Sequence, residues 1–252
     1  MLKYNNIFGL LGIFSYLCNI LNYNISIMNK NVTEETYIKF HQLINNGDEE
    51  EAIKLLKECG ESFDVNYEYN QRVPIFSAIN NRMYDLYDEI VNHPTFDFGV
   101  EDGFGETLLE SLLYMRVSDE IPMTENETAS LDRMIRTILN RERFDFNITD
   151  LNNDTAINIA CGYPKLLWVV EKLANKKDVN PNIINDIDCT ALTTAIHNKN
   201  IEAVKILSKR KDILVRTVDF EEADKVGIDL ADLGFKDAIK LKKANEYTVA
   251  TA

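Results

Sequence analysis

Two short sub-motifs recur along this chain in phase, and a period near 33 residues restricts the fold to stacked, near-identical units. The first reads Phe63-Asp64-Val65-Asn66, Phe96-Asp97-Phe98-Gly99, Phe144-Asp145-Phe146-Asn147 and Lys177-Asp178-Val179-Asn180, with a weaker fifth at Lys211-Asp212-Ile213-Leu214. Its aspartates stand 33, 48, 33 and 34 residues apart. The second follows each of these as VPIFSA (73–78), TLLESL (107–112), TAINIA (155–160), TALTTA (190–195) and VGIDLA (226–231), with starts 34, 48, 35 and 36 apart. Both series share the long interval of 48, which marks an insertion at 117–130.

Within a unit the apolar spacing is helical. After Thr190, the residues Ala191, Leu192, Ala195 and Ile196 share one face, and after a polar break at 197–200 a second stripe follows at Ile201, Val204, Ile206 and Leu207. Phe40–Ile44 with Ala52–Leu56, Ile75–Ile79 with Leu86–Val91, and Ile157–Ala160 with Leu166–Leu173 repeat the pattern. Each unit therefore reads as a helical hairpin followed by a polar connector. The insertion falls between the two helices of the third unit and predicts a longer loop there. Thr124 with Glu127 forms a capping box that starts the next helix, Leu131–Leu139.

These residues resemble ankyrin repeats. Thr155 and Thr190 hold the family's threonine position, Pro74 the adjoining proline, Leu55-Leu56 with Gly60 the end of the second helix and its cap, and Asp-Val-Asn the connector. The Gly-Ala dipeptide that precedes the aspartate in the family is missing throughout. The resemblance implies an all-α solenoid of stacked helical hairpins with short connecting hairpin loops. It divides the chain into an apolar segment 1–30 and a solenoid 31–252, with units near 36–66, 67–99, 100–147, 148–180, 181–214 and 215–245. The terminal unit would turn Lys236, Lys240, Lys242 and Lys243 to water, and Ala78, Ala160, Ala195 and Ala231 would sit where helices approach closely.

Composition narrows the partners. The 252 residues carry 41 acids and 27 bases, a formal charge of −14. That excludes ordinary nucleic-acid binding, which requires clustered cations to release phosphate counterions. Glycine (10) and proline (5) are too scarce for a turn-rich barrel. Cysteines at 18, 59, 161 and 189 contain no CxxC pair, which excludes a disulfide framework or zinc site of the usual spacing.

Residues 7–21, IFGLLGIFSYLCNIL, follow Lys3 and are too short for a comfortable membrane span of about 20 residues. Three readings stand: a targeting segment, an apolar helix packed on the first unit, or residues upstream of a start at Met28. The compartment is accordingly cytoplasmic, or secreted or membrane-anchored through 1–28. Sequons at Asn24, Asn31, Asn126, Asn147 and Asn153 matter only in a secretory compartment.

No phosphate loop, nucleophile elbow or HExxH pair is present, which argues against an enzyme and requires no cofactor. The resemblance places His41 in a slot where the ring caps neighbouring backbone. His93, before Pro94, is expected in solvent, and Trp168 in the core. Cys161 and Cys189 read equally as buried hydrophobes or as reactive thiols.

The resemblance further implies a concave surface of hairpin tips and first helices that grips a partner protein, with the chain itself a monomer. Carried over by position, its contact residues are Tyr69, Arg72, Phe104, Glu106, Asn152, Asp154, Asp186 and Asp188 on the tips, and Asn80, Asn81, Tyr114, Tyr163 and His197 on first helices. Phe104, Tyr114 and Tyr163 are the expected anchors, since large aromatics dominate interface energetics. The surrounding acids favour a basic partner.

Overall fold

A computed structural model describes residues 32–103, 105–118 and 122–235. The apolar segment 1–30, the anchor Phe104 and the four terminal lysines lie outside the described residues. The chain divides into two compact units, Met1–Asp97 and Phe98–Ala252. Helices dominate both; the described residues contain only isolated β-bridges, at Tyr69–Arg72, Glu101–Thr107 and Thr149–Thr155. Among the described residues, no helix is long and apolar enough to cross a membrane.

The first unit holds α1 (Glu34–Asn46), α2 (Glu49–Cys59), α3 (Pro74–Asn80) and α4 (Tyr84–Val91). Gly47 ends α1 at φ 85°, a left-handed turn that suits a residue without Cβ and lets α2 fold straight back. Phe40 and Ile44 of α1 and Ala52, Leu55 and Leu56 of α2 are all buried as these helices pack, and the connector adds Val65 and Phe63, whose ring meets Phe40 edge-on. Glu49 at the start of α2 accepts the amide hydrogens of Asp85 and Leu86, both at 3.0 Å, and so caps α4 from the preceding hairpin. His41 meets the Tyr67 carbonyl at 2.8 Å, the capping role its slot implies. His93 corrects the solvent expectation: Nδ1 lies 2.8 Å from Thr95 Oγ1 and Nε2 3.2 Å from the Gly60 carbonyl. The ring ties one connector to the end of the previous one.

The second unit holds α5 (Leu108–Val117), α6 (Glu125–Leu139), α7 (Ala156–Gly162), α8 (Leu167–Ala174), α9 (Ala191–His197), α10 (Ile201–Leu207) and α11 (Thr217–Val226). The first helices α5, α7, α9 and α11 pack in sequence, and α8 packs on α10 behind them. Threonine starts three of the first helices. Thr107, Thr155 and Thr190 accept the amide of the third helical residue, which satisfies a donor that the helix leaves open. Ala195 is fully buried on α9, which contacts both α7 and α11. Ala195→Leu therefore overpacks that contact and should cost roughly 1–3 kcal/mol. Thermal unfolding checks this: an unchanged midpoint would refute the close approach.

The insertion does more than lengthen a loop. Helix α6 has 15 residues where α8 has 8 and α10 has 7, so part of the insertion adds turns to the second helix. Thr124 starts it as expected: its hydroxyl accepts the Glu127 amide at 3.2 Å, and Glu127 accepts the Thr124 amide at 2.7 Å. Arg116 of α5 donates to Asp132 of α6 at 2.7 Å, which holds the two helices together beyond the loop.

Connectors are clamped by asparagines. Asn66 donates to the Thr95 carbonyl and accepts the Asp97 amide; Asn147 does the same with Asp178 and Asn180, and Asn182 with Asp212 and Leu214. Each clamp follows an Asx turn, at Asp64, Asp145 and Asn180. The structural counterpart of Asp145-Phe146-Asn147 is therefore Asn180-Pro181-Asn182. The sequence match at Asp178-Val179-Asn180 is displaced by two residues, because Val179 fills the buried position of Phe144. Trp168 is also not core. It is half-buried on α8, with the Arg136 guanidinium 4.1 Å above its ring.

Candidate functional site: hairpin tips of the second unit

Three tips of the second unit share one construction. In each, an Asx residue opens the turn and the residue four positions on closes it: Asp102 with Glu106, Asp150 with Asp154, Asn185 with Cys189. The opening amide donates to the closing carbonyl at 3.0 Å each time. In return, the opening side-chain oxygen accepts the closing amide at 2.8–3.0 Å. The residue before the close takes positive φ: Gly105 67°, Asn153 58°, Asp188 61°. Asn, Asp and Gly tolerate that region best, which explains the residue types.

The tips are fastened to one another. The Asp186 amide donates to the Asn152 carbonyl at 2.9 Å, Asn153 Nδ2 to Asp186 at 2.6 Å, and Asn185 Nδ2 to Asp154 at 2.8 Å. Arg216, just before α11, donates to the Asp188 carboxylate and carbonyl, both at 2.7 Å. Leu151 lies against the neighbouring tip, where a Cβ on Gly105 would meet its Cγ at 3.1 Å. The result is a row in which the opening and closing backbone groups of each tip bond to one another and the 150–154 and 185–189 tips are tied together.

Two apolar side chains project from this row: Leu151 is 69% exposed and Ile187 78%. Sequence reading missed both. The available signal was a large aliphatic residue inside an Asx-turn tip, where helical periodicity does not apply. Tyr163, at the end of α7, is 40% exposed. Tyr114 is not a free aromatic. It is half-buried, and its hydroxyl donates to Asp150 at 3.0 Å, so it braces the middle tip.

The remaining candidates fall into two groups. Glu106, Asn152 and Asp154 gather with Tyr114 around Asp150, whereas Asp188 and His197 line a cleft between α9 and α11. Tyr69 and Arg72 form the tip of the first unit, with Asn70 and Gln71 at φ 53° and 60° as a two-residue hairpin turn. There Tyr69 leans on His41 and Arg72 reaches Asn45. Asn80 is exposed, and Asn81 donates to the carbonyls of Ile44 and Ser77.

Beneath the tips lies a polar layer. The third residue of each first helix is Glu110, Asn158, Thr193 or Asp219, and all four are buried. Thr193 donates to Asp219 at 2.6 Å, which links successive layers. Burial pushes the Glu110 carboxyl up to about 8, against the lowering effect of its hydrogen bonds with Thr107. Glu106 and Asp154 are raised chiefly by burial, as is the Tyr114 hydroxyl. Burial raises the Cys161 and Cys189 thiols as well, which favours the inert reading over the reactive one. Among the described residues, no three His, Cys, Asp or Glu side chains converge as a metal site.

Residues 127–217 match the ankyrin-repeat family in three copies. No curated protein matches the sequence. Among solved structures, an ankyrin repeat domain from Acinetobacter baumannii AYE is similar over 78% of this chain and 94% of its own, at 16% identity and a TM-score of 0.55. An ankyrin repeat protein is similar at 15% identity and a TM-score of 0.40, over 68% and 97% of the two chains. A predatory endopeptidase–immunity protein complex from Bdellovibrio bacteriovorus is similar at 14% identity and a TM-score of 0.32, again over 68% and 97%.

Proposed function

We propose that this ankyrin-repeat protein is a binding scaffold that holds a partner protein on the tip row of its second unit. Ankyrin repeats generally mediate protein–protein interaction and are typically not enzymatic, so binding is the activity to locate. The observation that carries the proposal is the pair Leu151 and Ile187, exposed on successive tips and surrounded by carboxylates. A central apolar anchor within a polar rim is the arrangement in which a few residues supply most of an interface's energy. Asp186, Asp188, Asp154 and Glu106 would select a partner with basic side chains around an apolar patch. Tyr163 extends the anchor along the first helices.

The tip backbone is already ordered by its own hydrogen bonds, so little conformational entropy would be lost on binding. The chain charge of −14 would speed the approach of a basic partner and make the association salt-dependent.

The expected result is that a protein captured from the source cell by the full chain is lost with the Leu151→Ser/Ile187→Ser variant. Circular dichroism of that variant should match the parent, since neither side chain is in the core. Capture unaffected by the double substitution would overturn the tip assignment. A partner retained equally at low and high salt would overturn the basic character assigned to it.

A further inference from the structure

Beside the 185–189 tip, α9 and α11 enclose a cleft of about 250 Å³. This is below the roughly 300–1,000 Å³ usual for small-molecule sites, and it suits one long side chain. Ile187 and Val218 supply apolar walls, and Asn198 and Thr194 stand at the polar edge. The Glu222 carboxylate is also there, its side chain only 15% exposed. It accepts from His197 Nδ1 at 2.8 Å and Lys225 Nζ at 3.1 Å, from side chains that are themselves 66% and 67% exposed.

The electrostatics select the occupant. The cleft wall carries the carboxylates of Asp188 and Glu222, with Asp154 near Cys189; Arg216 is bonded to Asp188, and Lys225 and His197 to Glu222. Arg216 is itself committed to Asp188 and Thr193 through three hydrogen bonds. A carboxylate or phosphate would therefore compete with Asp188 and Glu222 for cations they already hold. The acids favour a cation, and the apolar walls favour one carried on an aliphatic stem. A guanidinium is more weakly hydrated than an ammonium and can fork onto a carboxylate, so it suits a partly apolar cleft better. The hydrogen bonds from His197 and Lys225 keep Glu222 ionised to receive it.

We infer that this cleft receives an arginine side chain of the partner, with its stem between Ile187 and Val218 and its guanidinium on Glu222 in place of His197. The inference rests on the partner-binding reading and adds the residue type that the partner must present.

The test does not require the partner. The full chain, labelled at Ile and Val methyl groups, is titrated with blocked Gly-Arg-Gly, Gly-Lys-Gly and Gly-norleucine-Gly peptides at millimolar concentration. The arginine peptide should shift the Ile187 and Val218 methyl signals saturably and bind at least fivefold tighter than the other two. Glu222→Gln should remove that preference while leaving the spectrum of the fold intact. Absence of a saturable shift, equal binding of norleucine or lysine, or an unchanged preference in Glu222→Gln would overturn the assignment. If the peptide test fails while the tip variant still loses the captured protein, the cleft is discarded and the tip reading stands. Arginine binding with no loss of capture in the tip variant, which also removes the Ile187 wall, would overturn both the tip reading and the assignment of the cleft to the partner's arginine.

Discussion

Glu110→Gln should make the protein more stable at neutral pH and flatten the decline of its stability as pH rises. The carboxyl is 1% exposed and faces the negative charges of Asp150 and Glu106. Its folded pKa is raised to about 8, whereas an unfolded glutamate titrates near 4.3. Between those values the folded state holds a proton that the unfolded state has released, so unfolding is increasingly favoured as pH rises. The contribution is absent below about pH 4, grows through neutrality and levels off above the folded pKa. One proton of difference corresponds to about 1.4 kcal/mol per pH unit at most. Gln keeps an acceptor for the Thr107 amide, now held by Glu110 Oε2 at 2.8 Å, and cannot ionise. From pH 5 to 7.5 the variant should gain roughly 2–3 kcal/mol on the parent, less than the full slope because a charged group draws in water. Glu106, Asp154 and Asp219 are raised in the same sense, and His41 is lowered, but both proteins share them. Urea unfolding of the two proteins at four pH values decides it; parallel stability curves would show that Glu110 is ionised in the folded state at little cost.

Arg210→Ala should destabilise the second unit by roughly 2–4 kcal/mol. The guanidinium, 10% exposed, donates to the carbonyls of Ala174 and Lys176 at 2.9 Å and of Val179 at 2.7 Å, and grips Asp212 with two further bonds. The first of these carbonyls ends α8, where a helix leaves acceptors without internal donors. Truncation would strand several acceptors at once and release the connector that holds Val179 in the core. Arg210→Lys should recover less than half of the loss, because one ammonium cannot span three carbonyls and a carboxylate as the planar fork does. Full recovery by lysine in chemical denaturation would reduce the role of Arg210 to its charge.

Both residues illustrate where sequence reasoning reached its limit. The starts of first helices were legible at Thr155 and Thr190 through the resemblance, and the start of α6 through the capping box at Thr124, because a cap is a local interaction within four residues; the match at 226–231 starts no helix, since α11 runs Thr217–Val226. Glu110 also stood in plain view, but nothing local indicated that it would be buried beside two other acids. The Asp178-Val179-Asn180 match was persuasive and two residues out of register, since identity of letters does not reveal which asparagine clamps the next connector. Tyr114 and Tyr163 looked alike as exposed aromatics. Only the position of Asp150 separated the braced Tyr114 from the more exposed Tyr163.

The candidate surface divides in the same way. Acids at Glu106, Asp154 and Asp188 could be placed on tips by counting from the repeat. Leu151 and Ile187 could not be recognised as exposed, since an apolar residue in a sequence is expected inside. They are exposed because the Asx turns project them outward; the Gly105 tip covers only one side of Leu151, and Ile187 stands at the wall of the α9–α11 cleft.

By itself the sequence determined the repeat, its period, the helical hairpin and the capping box at Thr124, all of which depend on interactions between residues close in the chain. The tertiary structure decided the clamp register, the polar layer under the tips, the role of Tyr114 and the cleft between α9 and α11. Each of these arises where successive repeats meet about 30 residues apart, and there burial and neighbouring charge, rather than residue type, decide what a side chain does.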